Sequence, residues 1–213
     1  MLPSLYKFFI FRLLLVLIIC VNFTPTKVHC NQKIVLFGDS LMSGYGLDQE
    51  FHLSTILEKN LIQKGFDVNV INASVSGDTT SGGLNRLNWL LEDKNTDIMI
   101  LCLGANDMLR GIKPNLVRKN LNRILEILRE KKVTVLLAGM ISQETFGEKY
   151  KNEFDKIFPE LAIKFNVAFL PFLLDGVALK PEFNLKDGKH PNPKGVNLIS
   201  KNLEQKLIDL LSN

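Results

Sequence analysis

The sequence predicts an α/β fold: a three-layer α/β/α sandwich on a parallel sheet of five strands. Two observations carry this. Short apolar runs alternate with longer amphipathic stretches along the chain, the order expected of a doubly wound sheet. Four of the five runs are also nearly unbroken in apolar residues, as strands are when helices cover both faces of a sheet.

The elements follow in turn. Residues 33–37 (KIVLF) form the first run, and 51–64 then show helical apolar spacing. Residues 67–71 (DVNVI) make a second strand, followed by a helix over 83–91. The run at 97–103 (DIMILCL) precedes a helix over 115–131, and 133–138 (VTVLLA) precedes one over 149–165. After 167–170 (VAFL), the stretch 193–211 closes the chain as a helix, with Asn192 placed to cap it and Pro193 in its first turn. Neither a repeat nor a low-complexity linker interrupts the series. In such sheets ligands bind beyond the carboxyl ends of the strands, so the loops after each strand hold the candidate chemistry.

Length and composition agree with one domain behind a leader. The chain has 213 residues, 46% hydrophobic and 23% charged, which fits one ordered domain able to bury its own core. Residues 1–30 divide in three: a basic start with Lys7 and Arg12, an apolar run over 13–21, and a more polar segment over 22–30. That plan is a secretory signal peptide, with Val28 and Cys30 suiting a cleavage that leaves Asn31 first. Residues 31–213 are then the functional domain, secreted or periplasmic. An uncleaved membrane anchor ranks second, because Arg12 interrupts a stretch shorter than the roughly 20 apolar residues a span needs. A lipoprotein attached at Cys20 ranks third, since Ile19 is bulky where a small residue is usual.

The formal charge of +4 includes Lys7, Arg12 and Lys27 of the leader, and the rest of the chain is close to neutral. No nucleic-acid footprint and no anionic-membrane footprint follow from it. With Cys20 and Cys30 in the leader, Cys102 stands alone in an apolar run, which excludes an internal disulfide and a cysteine metal site. No phosphate-binding or dinucleotide-binding glycine loop is present.

Histidine narrows the search further. Apart from His29 in the leader there are only His52 and His190. His52 begins a helix, where a solvated surface role is expected. His190 lies in Asp187-Gly188-Lys189-His190-Pro191-Asn192. An Asp three residues before a His can fold back on one ring nitrogen and leave the other free to take a serine proton. The same six residues also describe a plain turn with a capping Asn, and they do not choose between the two. Gly38-Asp39-Ser40-Leu41 follows the first strand, where a hydroxyl can face the crevice; an ordinary polar turn has the same letters. Asn72 to Thr79, with Gly77, follows the second strand, and Gly104-Ala105-Asn106-Asp107 follows the third. A glycine N–H and an Asn amide are suitable donors to an oxyanion.

Taken in order, Gly38-Asp39-Ser40-Leu41, Gly77, Gly104-Ala105-Asn106-Asp107 and Asp187-x-x-His190 resemble the four blocks of the SGNH (GDSL) hydrolases, a flavodoxin-like family. The likeness runs from Lys33 to the last helix. Asn72 to Thr79, Leu109-Arg110-Gly111 and Leu170-Pro171-Phe172 resemble its periplasmic acyl thioesterase, lysophospholipase and arylesterase branch. The resemblance implies Ser40 as nucleophile, His190 as general base and Asp187 as its orienting acid. It implies an oxyanion hole from the Ser40 and Gly77 amides and the Asn106 side chain, with no metal or organic cofactor. Ala105 departs from that branch, which often has a second glycine, and its methyl group is expected to narrow the floor beside Asn106.

The expected partner is a small acyl ester or thioester, with no nucleic acid and no stable membrane insertion after leader removal. Phe146 and Tyr150 after the fourth strand, and Phe172, Leu174 and Phe183 after the fifth, are candidate walls for an acyl or aryl group; equally, they can pack beneath their own loops. Rival readings are a carbohydrate O-acetylesterase and a non-catalytic lipid- or glycan-binding module.

Overall fold

Each apolar run becomes a strand in the computed structural model, which describes residues 31–92 and 95–212. These belong to one compact unit, Asn31–Asn213. Residues 1–30, the expected leader with Cys20, His29 and Cys30, lie outside the described residues. The strands are β1 (Gln32–Gly38), β2 (Val68–Asn72), β3 (Ile98–Cys102), β4 (Thr134–Ala138) and β5 (Ala168–Leu170). All pair in parallel, in the order β2-β1-β3-β4-β5. Every residue of β3 is buried, as is β1 from Ile34 onward to Gly38, because helices lie over both faces. The edge strand β2 is half-buried, and Glu58 Oε2 accepts its Val70 N–H at 2.7 Å, closing one open donor on the sheet margin.

The helices are α1 (Ser40–Ser43), α2 (Leu53–Gln63), α3 (Thr80–Leu90), α4 (Ala105–Leu109), α5 (Pro114–Glu130), α6 (Glu148–Asp155), α7 (Ile157–Phe165) and α8 (Pro193–Leu211). α2 packs on α8, while α3 packs on α5 and α5 on α7. Right-handed crossovers place these two groups on opposite faces of the sheet. The chain reverses direction across the sheet between β1 and β3, which opens a crevice at their carboxyl ends.

Several boundaries differ from expectation for identifiable reasons. α3 begins at Thr80 rather than residue 83, because Thr79 caps it by accepting from Gly82 N at 3.2 Å. Gly82 and Gly83 disguise that first turn, and Gly83 is needed there: a Cβ would collide with the Leu103 side chain beneath. The single helix expected over 149–165 is two, divided at Lys156. Pro159 has no N–H to return to the Asp155 carbonyl, so the ladder breaks one turn before it. The short helix α4 had no periodic signal to betray it. His52, expected on the solvated surface, is instead half-buried; its Nε2 lies 3.1 Å from the Leu47 carbonyl and its ring fills the space over Gly44. Cys102 is buried in β3, and Asn192 caps α8 by accepting from Lys194 N and Gly195 N at 2.9 and 3.1 Å.

Candidate active site

The site is assembled from the ends of β1, β2 and β3 and from the loop before α8. At the end of β1, Gly38 runs so close to β3 that a Cβ would stand 2.7 Å from the Cys102 carbonyl oxygen and 2.7 Å from Met42 Sδ. The chain then turns into α1 at once. Asp39 Oδ1 accepts the Leu41 N–H at 3.0 Å as the cap, which fixes Ser40 as the first helical residue above the crevice.

The loop before α8 brings His190 to it. Leu185 N donates to the His190 carbonyl at 2.8 Å, and Asn184 bridges Pro191, which closes the loop into a small hairpin. Asp187 Oδ1 accepts the Lys189 and His190 N–H groups at 2.8 and 3.0 Å, and its Oδ2 lies 2.7 Å from His190 Nδ1. The His190 backbone and ring donors, with the Lys189 N–H, hold the Asp187 carboxyl down to about 2, so it is ionised at neutral pH. An ionised acceptor at Nδ1 fixes the ring proton there. Nε2 is left as an acceptor, and it stands 3.0 Å from Ser40 Oγ, across 150 residues of chain.

The candidate oxyanion donors come from the loops after β1, β2 and β3. Among the described residues neither the Ser40 nor the Gly77 backbone N–H has an acceptor. Gly77 has φ +80, a left-handed turn suited to glycine, and its carbonyl is held by Arg110 Nη2 at 2.8 Å. Asn106, in the first turn of α4, donates through Nδ2 to the Asp78 carbonyl at 3.0 Å and to Asp39 Oδ2 at 3.2 Å. Its amide is thereby locked in orientation between the loops after β1 and β2.

Three polar groups not singled out from the sequence support this arrangement. Asp39 is buried, and desolvation raises its carboxyl to about 6 despite the Leu41 and Asn106 donors. Arg86 of α3 pairs with Asp78 at 2.7 Å, donates to the Ala73 carbonyl at 2.6 Å, and lies 4.0 Å over the Phe37 ring. Asp107, fully buried, accepts Thr80 N at 2.8 Å and Thr80 Oγ1 at 2.6 Å, while Asn120 Nδ2 donates to that hydroxyl at 3.0 Å. The short helix bearing Asn106 is thus tied to the start of α3. For Asp39 the missed signal is a capping residue one place before the serine.

Ser40 and His190 open onto a cleft of about 280 Å³ whose apolar wall is Leu41, Met108, Leu109, Met140, Leu174 and Leu179. Ala105 and Asn106 both line it. Of the five candidate wall residues, Leu174 faces the cleft and the others do not. Phe146, Tyr150, Phe172 and Phe183 pack against the core. Phe146 and Tyr150 stand with ring centroids 5.6 Å apart, and the Tyr150 hydroxyl donates to the Ile112 carbonyl at 2.9 Å. Aromatic area in these loops is taken up in anchoring them. The cleft wall comes instead from Met108, Leu109 and Leu179, which no periodic pattern marks.

Comparison with known proteins agrees with this geometry. Residues 36–198 match the model of the GDSL-like lipase/acylhydrolase family. The chain is 36% identical to an arylesterase of Vibrio mimicus, over 91% of this chain and 96% of that protein. It is 35% identical to the thioesterase 1/protease 1/lysophospholipase L1 of Escherichia coli, over 75% of each. The crystal structure of TesA superimposes with a TM-score of 0.80 at 33% identity, covering 84% of this chain and 99% of that one. With five parallel strands, a Ser–His contact across the switch point and this run of matches, the chain belongs to the GDSL-like lipase/acylhydrolase family and is an ester-hydrolysing enzyme.

Proposed function

We propose that the enzyme hydrolyses aryl esters, acyl thioesters and lysophospholipids of short to medium acyl chain through an acyl-enzyme on Ser40. The observation that carries this is the unbroken contact series from Asp187 through His190 to Ser40, at 2.7 and 3.0 Å, ending at an apolar cleft. In the first step Ser40 Oγ bonds to the substrate carbonyl carbon while His190 Nε2 takes the hydroxyl proton. The Asp187 carboxylate holds the resulting imidazolium. The oxyanion is received by the unpaired Ser40 and Gly77 N–H groups, and Asn106 joins them by giving up its longer bond, the one to Asp39. Collapse breaks the bond to the alcohol or thiol, which leaves with the proton from Nε2. Water then gives its proton to Nε2, attacks the acyl-enzyme carbonyl, and the acid departs as Ser40 regains its proton.

The cleft volume lies just below the range of ordinary small-ligand pockets, which suits a chain of moderate length. Action outside the cytoplasm is part of the proposal and rests on the three-part plan of residues 1–30. A panel of p-nitrophenyl esters of increasing chain length, acyl-CoA thioesters and lysophospholipids tests the reading. Wild type is expected to prefer chains beyond acetate, and Ser40→Ala to lose every activity together. Turnover confined to acetate would favour a carbohydrate O-acetylesterase.

A further inference from the structure

One aromatic side chain at the site is used by nothing described so far. Tyr45 stands in the loop after α1 with its ring centroid 4.3 Å from that of His190, the two planes tilted by 34°. Its relative exposure is 50%, and its hydroxyl has no hydrogen-bond partner among the described residues. The phenol oxygen therefore does not explain its position; the ring contact does. The loop is built to hold it there. Gly44 and Gly46 on either side have φ +84 and +71, and any Cβ on Gly44 would strike the His52 ring. A Cβ on Gly46 would stand 3.0 Å from Leu185 Cδ1, so this loop lies against the one that carries His190.

The charge balance around His190 gives the contact a purpose. The Asp187 side chain is 38% exposed and that of His190 20%. A carboxylate this open to water has much of its field screened, so it stabilises a developing imidazolium less than a buried partner would. An aromatic face within about 6 Å of a cation attracts it through the ring quadrupole. Tyr45 meets that condition on the face of the imidazole, out of the way of Asp187 and Ser40 at its two nitrogens.

We propose that Tyr45 is a positioning residue for acyl transfer: its ring fixes the plane of His190 and stabilises the imidazolium formed as Ser40 attacks. This rests on the reading of Ser40 and His190 as nucleophile and base. It needs the ring and not the hydroxyl, which makes it separable from a hydrogen-bonding or purely structural role.

The test compares Tyr45→Phe, Tyr45→Leu and Tyr45→Met on a p-nitrophenyl ester, each also in a His190→Ala background. Tyr45→Phe should match wild type. The two aliphatic variants should lose about two- to fivefold in kcat at unchanged KM, the rate equivalent of a partly exposed cation–π contact. In His190→Ala they should lose nothing further. Aliphatic variants as fast as wild type, a loss shared by Tyr45→Phe, or a loss that persists without His190 would each overturn the inference. Wild type that takes no fluorophosphonate at Ser40 would instead overturn the underlying reading, so the two failures are distinct.

Discussion

Replacing Asp39 with asparagine is expected to stabilise this enzyme above neutral pH while impairing it. The carboxyl is buried, and its pKa rises from 3.8 to about 6 on folding, chiefly through desolvation. The sign follows from linkage. Well below pH 3.8 the acid is neutral in both folded and unfolded chains and costs nothing. Between 3.8 and about 6 the unfolded chain releases its proton first, and stability falls as the pH rises. Above that range the full penalty is present. A carboxyl pushed from 3.8 to about 6 carries a penalty of roughly 3 kcal/mol once ionised, and most of it develops between pH 4 and pH 8. The replacement keeps the carbonyl oxygen that caps Leu41 but carries no charge. Urea unfolding at those two pH values should therefore show the stability difference, variant minus wild type, becoming about 2–3 kcal/mol more favourable at pH 8. The cost falls on function. The amide introduced by Asp39→Asn would present hydrogens to the Asn106 amide, where Asp39 now accepts at 3.2 Å, and turnover should drop. A stability difference that is the same at both pH values would refute the assignment of a destabilising buried charge to Asp39.

Two further substitutions probe the groups around it. Asn106→Ala removes one of three oxyanion donors and should lower kcat by roughly two to three orders of magnitude with KM little changed, measured by steady-state ester hydrolysis. Thr80→Val takes the hydroxyl donor from the fully buried Asp107 carboxylate and the acceptor from Asn120; urea unfolding should show a loss of about 2–3 kcal/mol.

The fold was readable because a parallel sheet buried on both faces writes itself as unbroken apolar runs, as in residues Ile98 to Cys102. Residues Ser40, Gly77 and Asn106 were readable in blocks after strand ends and Asp187 with His190 in a block before the last helix, because their order along the chain resembles that of a known family. What lay hidden has physical reasons. Gly82 and Gly83 lower helical propensity in the first turn of α3, yet the second is required by the closeness of Leu103. Phe146, Tyr150, Phe172 and Phe183 have the chemistry of an acyl wall, but a large ring in a long loop is as useful for pinning that loop to the core, and hydrophobicity alone does not separate these uses. Leu179 lines the cleft at φ +62 in an irregular segment where no period exists to mark it. Tyr45 and Asp39 owe their importance to partners distant in sequence, His190 and Asn106, which no local pattern announces.

The most direct measurement is the rate at which a fluorophosphonate labels the folded enzyme at pH 8, with the modified residue identified by peptide mass. Wild type should be labelled on Ser40 alone, Ser40→Ala not at all, and His190→Ala several orders of magnitude more slowly, as expected when one imidazole removes the proton from the attacking oxygen. Label on a different residue, or undiminished labelling of His190→Ala, would contradict the account.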